Sequence, residues 1–293
     1  MTSSPAAGRL LVVGTPIGNL GDLTPRAAAA LRAADLVVAE DTRVAARLLA
    51  YLGTRRPTLS FNAHNAAARL PELLRRLVAG ETLALTTDAG MPGVSDPGAR
   101  LVAAARAANV MVDAVPGPTA VTTAVALSGV EAPGFVFGGF LPSRPASARA
   151  AALERLLSAA GSVGLPLVLY EAPPRVRPLL AALERTQPDA QVAICRELTK
   201  LHEEVVTGTP ADVSSRLVEL RGEFVVVVSS IELPPNESGE LPAARVAAAG
   251  RAAGLSDRSV VELLRASGVG RREAYRLARE ANPTEKPPSS AHH

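Results

Sequence analysis

The chain has 293 residues, 47% of them hydrophobic and 20% charged, with a formal net charge of +3. This length predicts about two domains, and this composition excludes an intrinsically disordered protein. The single cysteine, Cys195, excludes an intrachain disulfide, and no cluster of His, Cys and carboxylates has metal-ligand spacing, so we expect no bound metal. With no secretion signal and no apolar run near the roughly 20 residues that span a bilayer, we expect a soluble protein of the cytoplasm.

Short apolar runs alternate with helical patterns over residues 9–115. Strands at this spacing, separated by helices, predict βαβ units and a parallel sheet. The predicted strands are 9–14, 35–39, 57–61, 82–87 and 110–115, and the helices between them cover 25–34, end at 52, end at 79 and cover 99–105.

The loop after the fourth predicted strand, residues 86–98, reads T-T-D-A-G-M-P-G-V-S-D-P-G. Its glycines allow a ligand to approach the main chain, and its prolines stiffen it. Such a loop lies at the carboxyl edge of the sheet, where α/β domains bind ligands. We therefore predict a small-molecule site, since an ordinary strand-to-helix turn would be shorter. A Rossmann or P-loop nucleotide site is disfavoured, because neither glycine fingerprint is present.

The pattern changes after residues 116–119, where strands follow one another with shorter links. This change predicts a second α/β domain with a mixed sheet, in which 135–142 is an edge or mixed-sheet strand. The other predicted strands are 166–170, 190–195, 204–207 and 223–230, and the predicted helices end at 160 or cover 174–185 and 210–220. We expect an N-terminal α/β domain over 1–117, a C-terminal α/β domain over 118–232, a linker over 233–242, a helical domain over 243–281 and a disordered tail over 282–293.

Three short helices are predicted in the last domain, over 243–253, 257–266 and 271–280. A helix, a glycine turn and a basic second helix are the outline of a helix-turn-helix. Arg271, Arg272 and Arg276 are candidates for phosphate contacts, and Tyr275 for stacking on a base. The alternatives are a small appendage with a solvated basic face, or a dimerisation element.

Eight motifs occur in order along residues 9–231: G-T-P-I-G-N-L-G-D-L-T-P-R-A, A-E-D-T-R, S-F-N-A-H-N, T-D-A-G-M-P-G-V-S-D-P-G, V-P-G-P-T-A, Y-E-A-P-P-R, R-E-L-T-K-L-H-E-E and G-E-F-V-V-V-V. As a set they resemble the bacterial 16S rRNA (cytidine-2′-O)-methyltransferase family, a branch of the tetrapyrrole methylase superfamily. Porphyrin-modifying branches usually carry a G-D-P loop and a P-G-[IV]-[ST]-S junction, which this chain replaces. Met91 also departs from the threonine that is commoner in the family.

The resemblance implies S-adenosylmethionine in a cleft between two α/β domains of a homodimer. It implies methylation of a cytidine 2′-hydroxyl in the decoding region of 16S rRNA, with free rRNA or the small ribosomal subunit as partner and neither DNA nor a membrane. The residues that it maps to the cofactor are Asp88, Ala89, Gly90, Ser95, Asp96, Pro116, Gly117, Thr119, Leu141, Tyr170 and Glu171.

Lys200 is the leading catalytic candidate. Lysine and arginine together number 31, yet Lys200 and Lys286 are the only lysines, and Lys286 lies in the predicted tail. A ribose hydroxyl is barely acidic at neutral pH, so a general base or a nearby positive charge would help. A buried lysine can lose its proton near neutral pH whereas arginine cannot. Glu197 and Glu204 flank Lys200 and are predicted to orient it or share its proton; the alternative is a surface lysine.

Three further residues of the α/β domains are candidates for RNA contacts. Arg43 follows two carboxylates at a strand end, which suits a phosphate or a structural ion pair equally. His64 follows a strand and is interpreted as a helix cap or an RNA contact rather than a base. Arg144 lies in the basic loop 143–149. Two other functions compete with the RNA methyltransferase: a small-molecule methyltransferase acting on a porphyrinoid, and a non-catalytic RNA-binding module.

Overall fold

The computed structural model of the chain describes residues 8–94, 96–231, 243–252, 255–266 and 269–281. The chain divides into two compact units, Met1–Glu232 and Leu233–His293. The first unit holds two five-stranded sheets, and the helices of the second unit form a small bundle. None of the described helices is long and apolar enough to cross a membrane.

The first sheet is parallel throughout, in the strand order β3-β2-β4-β1-β5. It confirms the prediction made from the alternation of apolar runs and helices. Helices cover both faces, so each face carries its own hydrophobic core. Its elements are β1 (Arg9–Val13), α1 (Pro25–Ala33), β2 (Leu36–Ala39), α2 (Thr42–Tyr51), β3 (Thr58–Ser60), α3 (Ala66–Val78), β4 (Thr82–Thr86), α4 (Gly98–Ala107) and β5 (Met111–Val115).

The second sheet is mixed, in the strand order β6-β7-β10-β8-β9. β6 and β7 are parallel and the other pairs are antiparallel, which confirms the expected mixed sheet with β6 at its edge. Its elements are α5 (Ala120–Ser128), β6 (Val136–Phe140), α6 (Ala146–Ser162), β7 (Leu167–Glu171), α7 (Pro173–Thr186), β8 (Gln191–Arg196), β9 (Glu204–Gly208), α8 (Pro210–Arg216) and β10 (Phe224–Ser229).

Helix α8 is shorter than the predicted helix over 210–220. It ends at Arg216, and the next residue, Leu217, is extended and buried. The Arg177 guanidinium donates to the carbonyl oxygens of Ser214 at 3.2 Å and Leu217 at 2.8 Å. The chain therefore leaves the helix because a tertiary contact satisfies its last carbonyls and the core takes Leu217.

Helix α5 packs on the second sheet rather than on the first. Val121 and Ala124 lie in one core with Val225 and Cys195, and Ile17 from the loop after β1 joins the same core. Burial, with a smaller effect of the charge of Glu203, raises the pKa of the Cys195 thiol to about 12, so this cysteine is a packing residue. The shared core fixes the loop after β1 against the second sheet.

The second unit consists of α9 (Ala243–Ala252), α10 (Asp257–Ala266) and α11 (Arg271–Glu280). These bounds agree with the three predicted helices to within one residue. Their apolar faces meet around Val260, Leu264 and Leu277. The predicted linker 233–242 and the predicted disordered tail 282–293 lie outside the described residues.

Candidate functional site

Two loops meet at the carboxyl edge of the first sheet. The loop after β1 and the loop after β4 are joined by two backbone hydrogen bonds between Thr15 and Gly90, of 2.9 and 3.2 Å. The Thr15 hydroxyl also donates to the Thr87 carbonyl at 3.2 Å. Gly90 has a φ of +81°, a left-handed conformation that glycine adopts without strain. The predicted ligand loop is thus held in one shape by its neighbour.

The loop after β5 closes on the same edge. Gly14 and Gly117 pack backbone to backbone: a β-carbon on Gly14 would lie 2.6 Å from the Gly117 nitrogen and 2.7 Å from the Met91 sulfur. Glycine is required here for close approach. Three loops, after β1, β4 and β5, therefore form one rigid rim.

A cleft of about 500 Å³ opens at this rim. Its volume falls within the range of small-molecule pockets. Asp88 and Ala89 from the expected cofactor loop line it, as does Lys200 from the second sheet's domain. The other lining residues are Thr15, Pro16, Ile17, Gly18, Leu20, Val44, Ala45, Arg47, Leu48, Thr86, Thr87 and Glu223.

Lys200 is held in the cleft by two carboxylates. Its ammonium nitrogen lies 2.8 Å from Glu197 Oε1 and 3.0 Å from Glu223 Oε2. Glu197 has a φ of +51° and Thr199 a φ of +65°, which non-glycine residues adopt only when their surroundings impose it. Here the imposing contacts are the hydrogen bonds of Glu197 N–H to the Glu223 carbonyl, 3.0 Å, and of Asn19 N–H to Thr199 Oγ1, 3.0 Å.

The expectation that Lys200 loses its proton near neutral pH is wrong for this structure. Partial burial lowers the pKa of Lys200, but hydrogen bonds to Glu197 and Glu223 and their charges outweigh burial, so the pKa is raised above its ordinary value. The side chain also keeps 30% of its surface exposed. Lys200 is therefore a cation and a hydrogen-bond donor rather than a general base.

The predicted contact between Glu204 and Lys200 is also wrong. Glu204 is the cross-strand partner of Arg196, and its Oε2 accepts from the Arg196 Nε at 2.9 Å. The second carboxylate on Lys200 is Glu223, 23 positions away in sequence, which was not among the predicted catalytic residues. Its only sequence signal was the acidic residue in G-E-F just before an apolar strand, which β10 brings beside the end of β8.

Asp88 connects the cleft to helix α2. Its Oδ1 accepts from the Asp41 backbone N–H at 3.0 Å. Burial raises the pKa of Asp88, opposed by that hydrogen bond. Asp41 itself forms a bidentate ion pair with Arg43, whose hydrogen bond lowers the pKa of Asp41 to about 2. Of the two interpretations of Arg43, the structure shows the ion pair, although its side chain is 87% exposed.

Asp96 has a structural role in the same loop. Its carboxylate accepts backbone hydrogen bonds from Gly93 at 2.7 Å, Val94 at 3.1 Å and Gly98 at 2.7 Å. These bonds close the loop and satisfy the first turn of α4. Ser95, the other residue predicted for this part of the cofactor site, lies outside the described residues.

The remaining cofactor candidates do not line the cleft. Pro116 is exposed, and Gly117 and Thr119 lie half-buried before α5, where Thr119 is the N-cap. Leu141 is buried in the core of the second sheet. The contact of Leu141 with a cofactor therefore stays a prediction.

Tyr170 and Glu171 point to opposite faces of β7. Tyr170 packs edge-on against Phe137, with ring centroids 5.1 Å apart, and burial together with the charge of Glu223 raises its pKa. The Glu171 side chain is fully buried and pairs with Arg149 and with Arg175, the latter at 2.8 Å. The Glu171 carboxylate is thus occupied by two guanidinium groups, and its contact with a cofactor stays a prediction.

The remaining RNA candidates are scattered over the surface. His64 is exposed, and it does not cap α3, because the N-cap residue is Asn65 and α3 has no side-chain cap hydrogen bond. Arg144 is exposed in the loop before α6.

The candidates on α11 belong to the second unit. Arg271, Arg272 and Tyr275 are exposed, and among the described residues neither arginine has a carboxylate partner. Arg276 pairs with Glu273 at 3.6 Å and Glu280 at 2.9 Å, so its charge is already balanced.

The chain has clear relatives. The family described as Tetrapyrrole (Corrin/Porphyrin) Methylases matches residues 9–214. A ribosomal RNA small subunit methyltransferase I from Xylella fastidiosa strain Temecula1 is 43% identical over 75% of this chain and 81% of its own length. One of the same name from Thermotoga maritima is 41% identical over 77% of this chain and 100% of its own length.

Solved structures share the fold at lower identity. Diphthine synthase superposes with a TM-score of 0.61 at 14% identity, over 76% of this chain and 90% of its own. Uroporphyrin-III C-methyl transferase from Thermus thermophilus, complexed with S-adenyl homocysteine, superposes with a TM-score of 0.55 at 21% identity, over 76% and 98%. Fold, family match and relatives agree: the chain belongs to the tetrapyrrole methylase family and, within it, to the ribosomal RNA small subunit methyltransferase I family.

Proposed function

We propose that this chain transfers a methyl group from S-adenosylmethionine to the 2′-oxygen of a cytidine ribose in 16S ribosomal RNA. The proposal depends on the position of Lys200. Its ammonium group, from the domain of the second sheet, lies in a nucleotide-sized cleft beside the Asp88–Gly90 loop of the first sheet's domain. The assignment of RNA as the substrate is supported by the names of the relatives, and the assignment of the 2′-oxygen as the methyl acceptor is supported by the family resemblance.

The donor fits the rim formed by the loops after β4 and β5. Gly90 turns the chain at this rim with a φ of +81°, and at the start of α5 the described residues provide no acceptor for the backbone N–H groups of Ala120 and Val121. A helix N-terminus with free donors favours a carboxylate such as the one on the methionine part of the donor. We assign the donor to Asp88, Ala89, Gly90, Pro116, Gly117 and Thr119, with Tyr170 facing it from the second sheet.

S-adenosylmethionine supplies a methyl group on a positively charged sulfur. The protein's task is to hold the ribose oxygen in line with the carbon–sulfur bond, because displacement at a methyl carbon depends mainly on positioning. As the oxygen–carbon bond forms, the carbon–sulfur bond breaks and the thioether leaves. Lys200 stabilises the electron-rich ribose oxygen through its positive charge and a donated hydrogen bond.

The hydroxyl proton needs an acceptor near that oxygen. Lys200 is already protonated, so we assign the proton to Glu223, whose carboxylate lies 3.0 Å from the Lys200 nitrogen with 70% of its side chain exposed. Glu197 is the more buried of the two carboxylates and holds the lysine in place through the i,i+3 pair.

The test is transfer of a tritiated methyl group to small ribosomal subunits that lack this modification. We expect labelled 16S rRNA, with the label in a dinucleotide that resists alkali, because alkaline cleavage of RNA requires a free 2′-hydroxyl. Lys200→Ala should lower kcat about 100-fold or more, as loss of a charge-stabilising donor does. Arg106→Ala on α4 is the control. Label on a base, or on an added porphyrinoid instead of RNA, would contradict the proposal.

The proposal includes a homodimer acting in the cytoplasm, as the family resemblance implies. Phe140 ends the edge strand β6 with 53% of its surface exposed, which offers apolar surface for a second copy. Sedimentation equilibrium tests it: a mass of one chain, 30.1 kDa, at micromolar concentration would remove the dimer from the proposal.

A further inference from the structure

Helix α2 separates the cleft from a second cavity of about 740 Å³. Four residues of α2 line the cleft, namely Val44, Ala45, Arg47 and Leu48, whereas three others line the second cavity, namely Ala46, Leu49 and Ala50. Most side chains that line this cavity are small, and two of the lining residues carry guanidinium groups. The lining residues are Ala46, Leu49, Ala50, Gly53, Thr54, Arg55, Arg56 and Thr58. A ligand chain that leaves the cleft can therefore cross α2 and enter a second groove.

Three arginines along this route form no ion pair within the described residues, although the charge of Arg47 is near enough to act on Asp41 and Asp88. Arg47, Arg55 and Arg56 are exposed, and no ion pair is formed by any of them within the described part of the chain. Arg43, one turn before Arg47, differs because Asp41 holds its guanidinium. Arg32 on α1 adds a fourth positive charge: it donates to the Leu52 carbonyl, at the end of α2, at 3.2 Å.

An aromatic ring lies between these charges. Tyr51 is four residues after Arg47, so the two side chains share a face of α2. Tyr51 is 56% exposed, and its ring packs against no other aromatic ring of the described residues. Guanidinium groups that alternate with an exposed ring match a single-stranded nucleic acid, whose phosphates bind arginine and whose unstacked bases stack on tyrosine.

We infer that Arg47, Tyr51, Arg55 and Arg56 form a binding track for the RNA strand that flanks the nucleotide in the cleft. The inference rests on the proposed function, because it takes its ligand to be continuous with the methylated nucleotide. The track needs a single strand rather than a duplex, since a base can stack on Tyr51 only when it is unstacked from its neighbours. Helix α2, with 10 residues, is about 15 Å long, so the track extends the footprint well beyond the cleft.

The test uses the full-length protein and unmethylated small ribosomal subunits as the probe, with binding measured by filter retention and methyl transfer measured separately. The variant is Arg47→Ala/Arg55→Ala/Arg56→Ala. The matched control is Arg106→Ala/Arg155→Ala/Arg185→Ala, which removes from α4, α6 and α7 three exposed arginines that form no ion pair among the described residues. Lysine at the three track positions is the charge-conserving variant.

We expect the alanine track variant to raise Kd and KM about tenfold or more. Arg55→Ala/Arg56→Ala, which leaves the cleft-lining Arg47 in place, should raise both by a smaller factor and keep kcat and the affinity for S-adenosylmethionine within twofold of the unmodified protein. The slope of log K against log salt should fall by about 2, as loss of three phosphate contacts to a single strand predicts. The control should change neither the affinity for subunits nor the salt slope, and the lysine variant should keep the slope of the unmodified protein. Tyr51→Ala should weaken binding about fivefold, and Tyr51→Phe should restore it.

Equal binding by the track and control variants, with equal salt slopes, would overturn the track. If Tyr51→Leu binds as well as Tyr51→Phe, position 51 needs only an apolar side chain, and base stacking on Tyr51 would be refuted. Failure of the unmodified protein to methylate subunits would instead refute the proposed function, and filter retention would still decide whether the track binds RNA.

Discussion

Lys200 differs from the other cations of the α/β domains because two carboxylates face it in a cleft. Its raised pKa means that the folded state binds the proton more tightly than the unfolded chain does. Its contribution to stability is therefore complete below the ordinary value of 10.5 and is lost as the pH rises through the higher folded value. Between pH 6 and 9 the group keeps its charge.

This charge state gives a prediction for the pH dependence of the reaction. The kcat values of the unmodified protein and of Lys200→Arg should follow parallel profiles between pH 6 and 9, because neither cation titrates there. Initial rates of transfer at saturating subunits and saturating S-adenosylmethionine measure this. A rise with pH that Lys200→Arg abolishes would show that the lysine acts as a neutral base.

Glu223 and Glu204 form a matched pair for mutation, since both pair with a basic side chain at the same end of the sheet. Glu223→Gln should lower kcat about 100-fold by removing the proton acceptor beside Lys200. Glu204→Gln removes only the pair with Arg196 and should leave kcat within about threefold. The same transfer assay decides, and equal losses in the two variants would contradict the role given to Glu223.

Lys200 could be predicted from composition, because lysine is rare in this arginine-rich chain. Glu223 was not visible in this way. Its contact with Lys200 depends on β10 pairing between β7 and β8, and strand order is set by tertiary packing rather than by local pattern. The prediction that the pKa of Lys200 is lowered was wrong for the same reason. It considered the burial of the ammonium group but not its hydrogen bond to a second carboxylate, Glu223.

At the level of elements, periodicity predicted the helices and strands well because both sheets are buried between helices. The parallel strand β2, buried along its whole length, is a continuous apolar run in the sequence. The predicted end of α8 was wrong because the helix is capped by the side chain of Arg177, which is distant in sequence. Gly90 and Gly117 were predicted to contact the cofactor, which stays a prediction, whereas the packing of Gly117 against Gly14 was not predicted.

Gly14 gives a prediction for the rim as an element. Gly14→Ala should destabilise the protein by about 1–3 kcal/mol, because its β-carbon would meet the Gly117 backbone nitrogen at 2.6 Å. Gly134→Ala is the control, since its β-carbon would have no neighbour closer than 3.9 Å. Urea unfolding monitored by circular dichroism compares the two. Equal free energies of unfolding would show that the rim is not tightly packed.

At the scale of the whole molecule, the catalytic unit and the helical unit have separate cores. The Thermotoga maritima relative is matched over its whole length by 77% of this chain, which indicates that the family can do without part of it. Arg271 and Arg272 of α11 form no ion pair within the described residues, and a role of the second unit in binding RNA stays a prediction.

Deleting residues 241–293 should weaken binding to small ribosomal subunits about tenfold and leave the affinity for S-adenosylmethionine unchanged. The reason is that the deletion removes phosphate contacts and no residue of the cleft. Filter retention and isothermal titration measure the two affinities. Unchanged subunit binding would mean that the second unit is an appendage or a dimerisation element.

The central claim is that the methyl donor and the ribose meet at the Asp88–Gly90 loop, with Lys200 facing the oxygen. A crystal structure of the full chain with S-adenosylhomocysteine tests it most directly. The account predicts the ligand against Asp88–Gly90 and Pro116–Thr119, with its sulfur directed toward the cleft that contains the Lys200 nitrogen. The ligand bound at any other place, or with its sulfur directed away from that cleft, would contradict the account.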